Sequence, residues 1–117
     1  MKSSSDLLIG VVGPCKSGKS TLVRGLQQAG YEALQIAQEH SFAPSMWQQI
    51  AKPDVLIYLH CNYETTVARG ITWMLSEYEE QLPRLTHARK NAALEIATDS
   101  ISPNQVLNQA LDFLKNE

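Results

Sequence analysis

Nine residues, Gly13 to Thr21, read "GPCKSGKST" and satisfy the spacing G-x-x-x-x-G-K-[ST] without a mismatch. The chemistry this spacing serves is the binding of a polyanion. Gly13 and Gly18 let the main chain bend sharply and come close to a ligand. The N–H groups of the bend, through Cys15, Lys16 and Ser17 to Thr21, are then expected to point inward as an anion nest. A helix starting near Lys19 adds its positive end. Lys19 supplies a mobile point charge for outer phosphates, and Lys16 adds charge beside the loop. Ser20 offers a hydroxyl to Mg²⁺, which keeps most of its other ligands as water and phosphate oxygen. The bland counterpart is a glycine-rich strand-to-helix turn that binds nothing.

The loop resembles that of the P-loop NTPases, and this resemblance implies a second acidic group at the end of a strand beside it. "VLIYL" is followed by His60, not by aspartate, and Asp54 stands at the other end of that run. The best substitute is Glu39, just past "ALQIA". If that strand neighbours the first one, Glu39 emerges at the same carboxyl edge as the loop, as a metal-shell or base residue rather than a solvated loop carboxylate. Arg69, Arg84 and Arg89 supply guanidinium groups suited to a transferring phosphoryl group. Against that stands surface arginine paired weakly with Glu77, Glu79 or Glu80. His40, His60 and His87 are too scattered for a zinc pattern, and His60 reads as a packed or hydrogen-bonded histidine. Cys15 lies where a helix start lowers a thiol pKa, although its small size suffices to explain it. Cys61 reads as a buried small residue. Trp47 and Trp73 read as core or interface packing, Trp73 also as a base-stacking candidate. Their exposure beside Phe42 and Met46 would favour a homodimer.

These residues need elements to carry them. Leu7 to Val12 is a continuous apolar run suited to a central parallel strand covered on both faces. A helix follows from about Gly18 to Ala29, with Gly30 as its stop. Ala33 to Ala37 reads as a strand, Pro44 to Ala51 as a short helix, and Val55 to Cys61 as the clearest remaining buried strand. Tyr63 to Asn91 is helical in pattern, broken at Gly70 or Pro83. Ala93 to Asp99 reads as a fourth strand, and Ser102 caps a last helix that begins at Pro103. Strands alternating with helices imply parallel pairing. The expected fold is α/β, a three-layer α/β/α sandwich with about four parallel strands.

The chain's 117 residues suit a single domain spanning 1–117, and 44% hydrophobic with 19% charged residues is ordinary globular composition. A net charge of −2 disfavours nucleic acid as partner. Two cysteines suggest reduced thiols rather than a disulfide framework. No run approaches the roughly 18–20 apolar residues of a membrane span, and the start lacks a signal-peptide core. A cytoplasmic protein with no membrane partner is expected, with Met1 to Ser5 as a loose polar tail.

With "GPCKSGKST" in place after an apolar strand, the chain resembles the P-loop NTPases, and among them the small nucleoside and nucleotide kinase-like group. "DVLIYLHCNYETTVARG" is similar to the strand and helix before their lid, which would make Arg69 the arginine near base or phosphates. "ALEIATDSISPNQVLNQALDFL" looks like their closing strand and helix. The resemblance implies a nucleoside triphosphate ligand, ATP with Mg²⁺, and an unknown small phosphoryl acceptor. Lys19, Glu39, Arg69 and Arg89 become catalytic candidates, with Gly13, Cys15, Lys16, Ser17, Gly18, Lys19, Ser20 and Thr21 binding the cofactor and Ser20 the metal. No D-x-x-G or N-K-x-D follows, which disfavours guanine. Only about fourteen residues separate His40 from Val55, leaving little room for an acceptor-binding section. A non-catalytic nucleotide-binding module, or a weak ATPase acting through a partner or oligomer, is therefore the alternative.

Overall fold

"VLIYL" is apolar at every position because both faces of its strand are covered. The computed structural model, which describes residues 7–72 and 74–116, places this run in β3 (Val55–His60) of a four-stranded sheet. Beside it lies β1 (Leu8–Val12), flanked in turn by β2 (Glu32–Gln35); β4 (Leu94–Ala97) closes the other side. The order is β2-β1-β3-β4, and all three pairings are parallel, with Ile9 opposite both Ala33 and Val55. The fold is therefore α/β with an all-parallel sheet. The expected tail Met1 to Ser5 and Trp73 lie outside the described residues.

Alternate residues of β3 belong to two separate cores. Val55, Ile57 and Leu59 join Ile9, Val11 and Ile96 beneath α1 (Lys19–Gln28) and α5 (Pro103–Lys115), which contribute Leu22, Val23, Leu26, Val106, Ala110 and Leu114. Leu56 and Tyr58 join Val12 and Ile36 on the opposite face. There they meet Trp47 of α2 (Met46–Ile50) and Leu85 and Ala88 of α4 (Leu75–Asn91). Helices thus cover both faces. Trp47 is buried, so it gives no support to an exposed aromatic dimer contact. Among the described residues no helix is long and apolar enough to cross a membrane.

The break in the long helical pattern comes at Gly70, not at Pro83. α3 (Tyr63–Ala68) ends just before Gly70, and α4 runs through Pro83. A proline inside a helix costs about 3 kcal/mol. Here Tyr78 and Gln81 before it, and Leu85 and Ala88 after it, are all buried, and that packing holds both halves in line. α5 begins as its residues dictate: Ser102 Oγ accepts the Gln105 N–H while the Gln105 side chain accepts the Ser102 N–H, with Pro103 in the first turn. β2 and β4 are shorter than their apolar patterns suggest, and β2 starts one residue early.

Candidate functional site

The loop between β1 and α1 leaves the carboxyl end of a central strand, where open α/β sheets gather their ligands. Three of its residues have positive φ, Gly13 at 156°, Lys16 at 65° and Gly18 at 104°. At Gly18 no side chain caps α1, and the residues of its first turn line a cleft of about 470 Å³. Lys16 to Thr21 line the cleft together with Arg69, Thr98 and Ile101. Gly13 serves a different purpose from Gly18. A Cβ there would lie 2.2 Å from the Leu59 carbonyl oxygen, so the loop packs directly against the end of β3.

Other elements hold this bend from outside. The Arg69 guanidinium, just past α3, donates to the Lys16 carbonyl at 2.6 Å and to the Thr98 carbonyl at 2.5 Å. Thr98, buried at the end of β4, donates its hydroxyl to the Ser17 carbonyl at 2.8 Å. Gln81, buried on α4, accepts the Cys15 N–H at 3.0 Å. Arg69 thus keeps Lys16 in its left-handed backbone, a conformation that costs a non-glycine residue roughly 1–3 kcal/mol. Sequence reasoning singled out Arg69 but missed Thr98 and Gln81. Thr98 had a signal, a polar residue at the carboxyl end of the closing strand. Gln81 had none, because a glutamine in a charged helix looks solvated.

Lys19 is buried, and the protein itself satisfies its ammonium. Nζ donates to the carbonyls of Gly13 at 2.8 Å and Pro14 at 3.1 Å, and to Glu39 Oε2 at 2.7 Å. Glu39 sits in a 3₁₀ turn, Gln38–His40, that follows β2. Because β2 pairs with β1, this turn emerges beside the loop, and Glu39 is carried to Lys19 across 20 positions of sequence. Glu39 is only 3% exposed. The Arg84 guanidinium donates to its carbonyl at 3.3 Å while stacking over the exposed ring of Phe42.

Cys15 Sγ lies 3.9 Å from Glu39 Oε2 and 3.5 Å from His40 Nε2. The thiol pKa is raised, first by burial and then by the neighbouring Glu39 carboxylate; Lys19 and Lys16 oppose the shift without reversing it. A thiol pKa lowered by the helix start is therefore not found here: burial first, and the Glu39 carboxylate second, raise it. Cys61 is fully buried, and burial pushes its thiol up to about 11.

The structure brings Gly13, Cys15, Lys16, Ser17, Gly18, Lys19, Ser20, Thr21, Glu39 and Arg69 together around the loop. It does not bring Arg89 there. The Arg89 guanidinium makes a two-pronged contact with Glu95 of β4, both bonds 2.8 Å, and lies 5.1 Å from the Tyr58 ring centroid. Arg89 holds the Glu95 carboxyl below its usual range, and burial pushes the Tyr58 hydroxyl up to about 12 although Arg89 opposes it. Asp54 accepts the Leu8 N–H at 2.8 Å, at the edge of the sheet away from the loop. His60 stacks on Tyr58, and His87 accepts the Trp47 indole N–H at 3.0 Å.

The arrangement places positive charge around a single cleft: a helix start without a side-chain cap, Lys16 and Arg69, with Lys19 beside them already paired to Glu39. No protein-family model matches the chain, and no curated protein matches it significantly.

Proposed function

We propose that the chain is a P-loop protein that binds ATP with Mg²⁺ in the cleft beside α1 and acts as a small kinase-like phosphotransferase. The observation that carries this reading is the start of α1: it lacks a side-chain cap, opens through Gly18 into the cleft, and is flanked by Lys16, Lys19 and Arg69. A polyphosphate suits such a place because the start of α1 carries partial positive charge and Lys16 stands exposed beside it, whereas the Lys19 ammonium, the Arg69 guanidinium and the Cys15 and Ser17 N–H groups already donate within the protein. Ser20, exposed in the first turn of α1, fits a Mg²⁺ ion that draws its remaining ligands from water and phosphate. When bound, the nucleotide supplies a transferable phosphoryl group, and Mg²⁺ offsets its charge. Lys19 contributes a buried positive charge at the loop. Arg69 fixes the loop's shape through Lys16 and Thr98. Glu39 sets the position of Lys19.

A second reading, a nucleotide-binding module without turnover, is favoured by one specific arrangement. β3 ends in His60 rather than a carboxylate, and Glu39 is engaged by Lys19. A melting scan with ATP and Mg²⁺, paired with transfer of label from ATP to small hydroxyl and phosphate acceptors, separates the two. Kinase-like function requires both a thermal shift and turnover, each lost in Lys19→Ala; at a hundredfold excess over Kd the stabilisation is about 2.7 kcal/mol. A shift without turnover selects the module. No shift with ATP, GTP or pyrophosphate refutes both.

A further inference from the structure

We infer that Cys15, Glu39 and His40 form a binding site for a zinc-class divalent cation at the mouth of the loop, a site distinct from the Ser20 hydroxyl. Their three ligand atoms belong to two separate loops that the β1–β2 pairing brings together. Sγ to Nε2 is 3.5 Å, Nε2 to Glu39 Oε2 is 3.8 Å, and Sγ to Oε2 is 3.9 Å. A tetrahedral zinc ion with bonds of about 2.3 Å to sulfur and 2.0–2.2 Å to nitrogen and oxygen needs ligands separated by roughly 3.4–3.6 Å. The three atoms therefore already outline one face of such a tetrahedron, and shifts of a few tenths of an ångström complete it.

The donor set is selective. Thiolate and imidazole suit zinc or cobalt and are poor partners for magnesium or calcium. Thiolate and carboxylate bring two negative charges to a dication; with the Lys19 ammonium kept on the carboxylate the cluster carries one net positive charge, and the thiol proton passes to solvent on binding. The fourth position is left for water or a ligand oxygen, as in zinc sites with three protein ligands.

Two further features point to a ligand. Glu39 is 3% exposed, yet its Oε1 has no hydrogen-bond partner among the described residues. That atom belongs to the carboxylate whose Oε2 faces the thiol and the imidazole, so a cation held by both oxygens removes a buried deficit. The ligands are also braced from behind, as metal ligands require. Gln81 holds the Cys15 N–H, Arg84 holds the Glu39 carbonyl, and Lys19 donates to the Glu39 carboxylate. A ligating carboxylate can keep such a hydrogen bond, so Lys19 need not leave.

The test uses the full chain without nucleotide and titrates it with Co²⁺, an optical stand-in for Zn²⁺. The expected result is one equivalent bound, with the intense visible bands of four-coordinate cobalt and a thiolate-to-cobalt charge-transfer band, all abolished by added Zn²⁺. Cys15→Ser should remove the charge-transfer band. His40→Ala, a change at an exposed side chain, should weaken binding by about 100-fold or more, because losing a ligand does more than losing the outer partners whose removal costs roughly 10–100-fold. Cys61→Ser should leave the spectrum unchanged. Absence of a thiolate band, a band that follows Cys61 rather than Cys15, or only weak six-coordinate spectra would overturn the site. The ATP–Mg²⁺ thermal shift of His40→Ala is a separate readout, so failure here leaves the nucleotide reading standing.

Discussion

Replacing Glu39 by glutamine tests the contact on which the geometry of the loop depends. The side chains of Lys19 and Glu39 are 7% and 4% exposed, and their charged atoms are 2.7 Å apart. Removing one member of a buried pair strands the other, at a cost of about 3–5 kcal/mol. Two features lower that figure here. Lys19 keeps its bonds to the Gly13 and Pro14 carbonyls, and glutamine retains a neutral acceptor. Glu39→Gln should therefore destabilise the protein by about 2–3 kcal/mol. For a chain of 117 residues, that lowers Tm by about 10 °C, at roughly 4 °C per kcal/mol. Lys19→Met leaves the carboxylate buried without its cation and should cost at least as much. The double variant should cost less than the sum, with a coupling energy of about 2 kcal/mol or more, because the second change removes the stranded charge. Urea unfolding of the four proteins completes the cycle. A coupling below about 0.5 kcal/mol, within the usual scatter of independent sites, would refute the claim that Lys19 and Glu39 form a buried ion pair.

Gly13→Ala and Gly18→Ala should differ in degree and in cause. At Gly13 the new methyl meets the Leu59 carbonyl at 2.2 Å and Ser17 Oγ at 2.8 Å, costing about 3 kcal/mol, the upper end of overpacking. At Gly18 it meets nothing within 4 Å, so only the left-handed backbone is penalised, by about 1–2 kcal/mol; urea midpoints for the two variants should rank in that order. Asp99 should make stability acid-sensitive. Burial works against its charge, but hydrogen bonds from the Thr65 hydroxyl and the Asn62 N–H outweigh burial and lower its pKa from the ordinary 3.8. With the folded pKa depressed, the stabilisation is full above that ordinary value and is lost as pH falls through the folded one. Melts between about pH 5 and pH 2 should therefore fall more steeply for the wild type than for Asp99→Asn, and parallel slopes would show that Asp99 carries no such linkage.

The class of the fold was legible in local signals. Apolar β-branched runs separated by helical periodicity imply parallel strands, because each crossover must pass over a sheet face. Leu8–Val12 and Val55–His60 are long enough for burial on both faces to mark them unmistakably, and the Ser102–Gln105 box marks the start of α5 by its own residues. Four-residue strands such as Glu32–Gln35 carry too few positions for an alternation to be read sharply, and their bounds drifted accordingly. Gly70 and Pro83 were equal candidates for the break. Packing on both sides of Pro83 decided between them, and packing is not a local property.

The candidate site divides along the same line. Consecutive residues make the loop, and the constraints on Gly13 and Gly18 act within a few positions, so their spacing announced them. The partners of the loop come from distant segments: Glu39 and His40 by way of β2, Arg69 after α3, Gln81 from α4, and Thr98 after β4. Their places depend on the strand order β2-β1-β3-β4, which no single segment encodes. Arg69 and Arg89 looked alike as sequence, two arginines in one helical stretch. The sheet sent one to the loop and the other to Glu95. Residue types and short spacings are set by local chemistry, whereas which charge meets which depends on how the strands are ordered, and that order is a property of the assembled core.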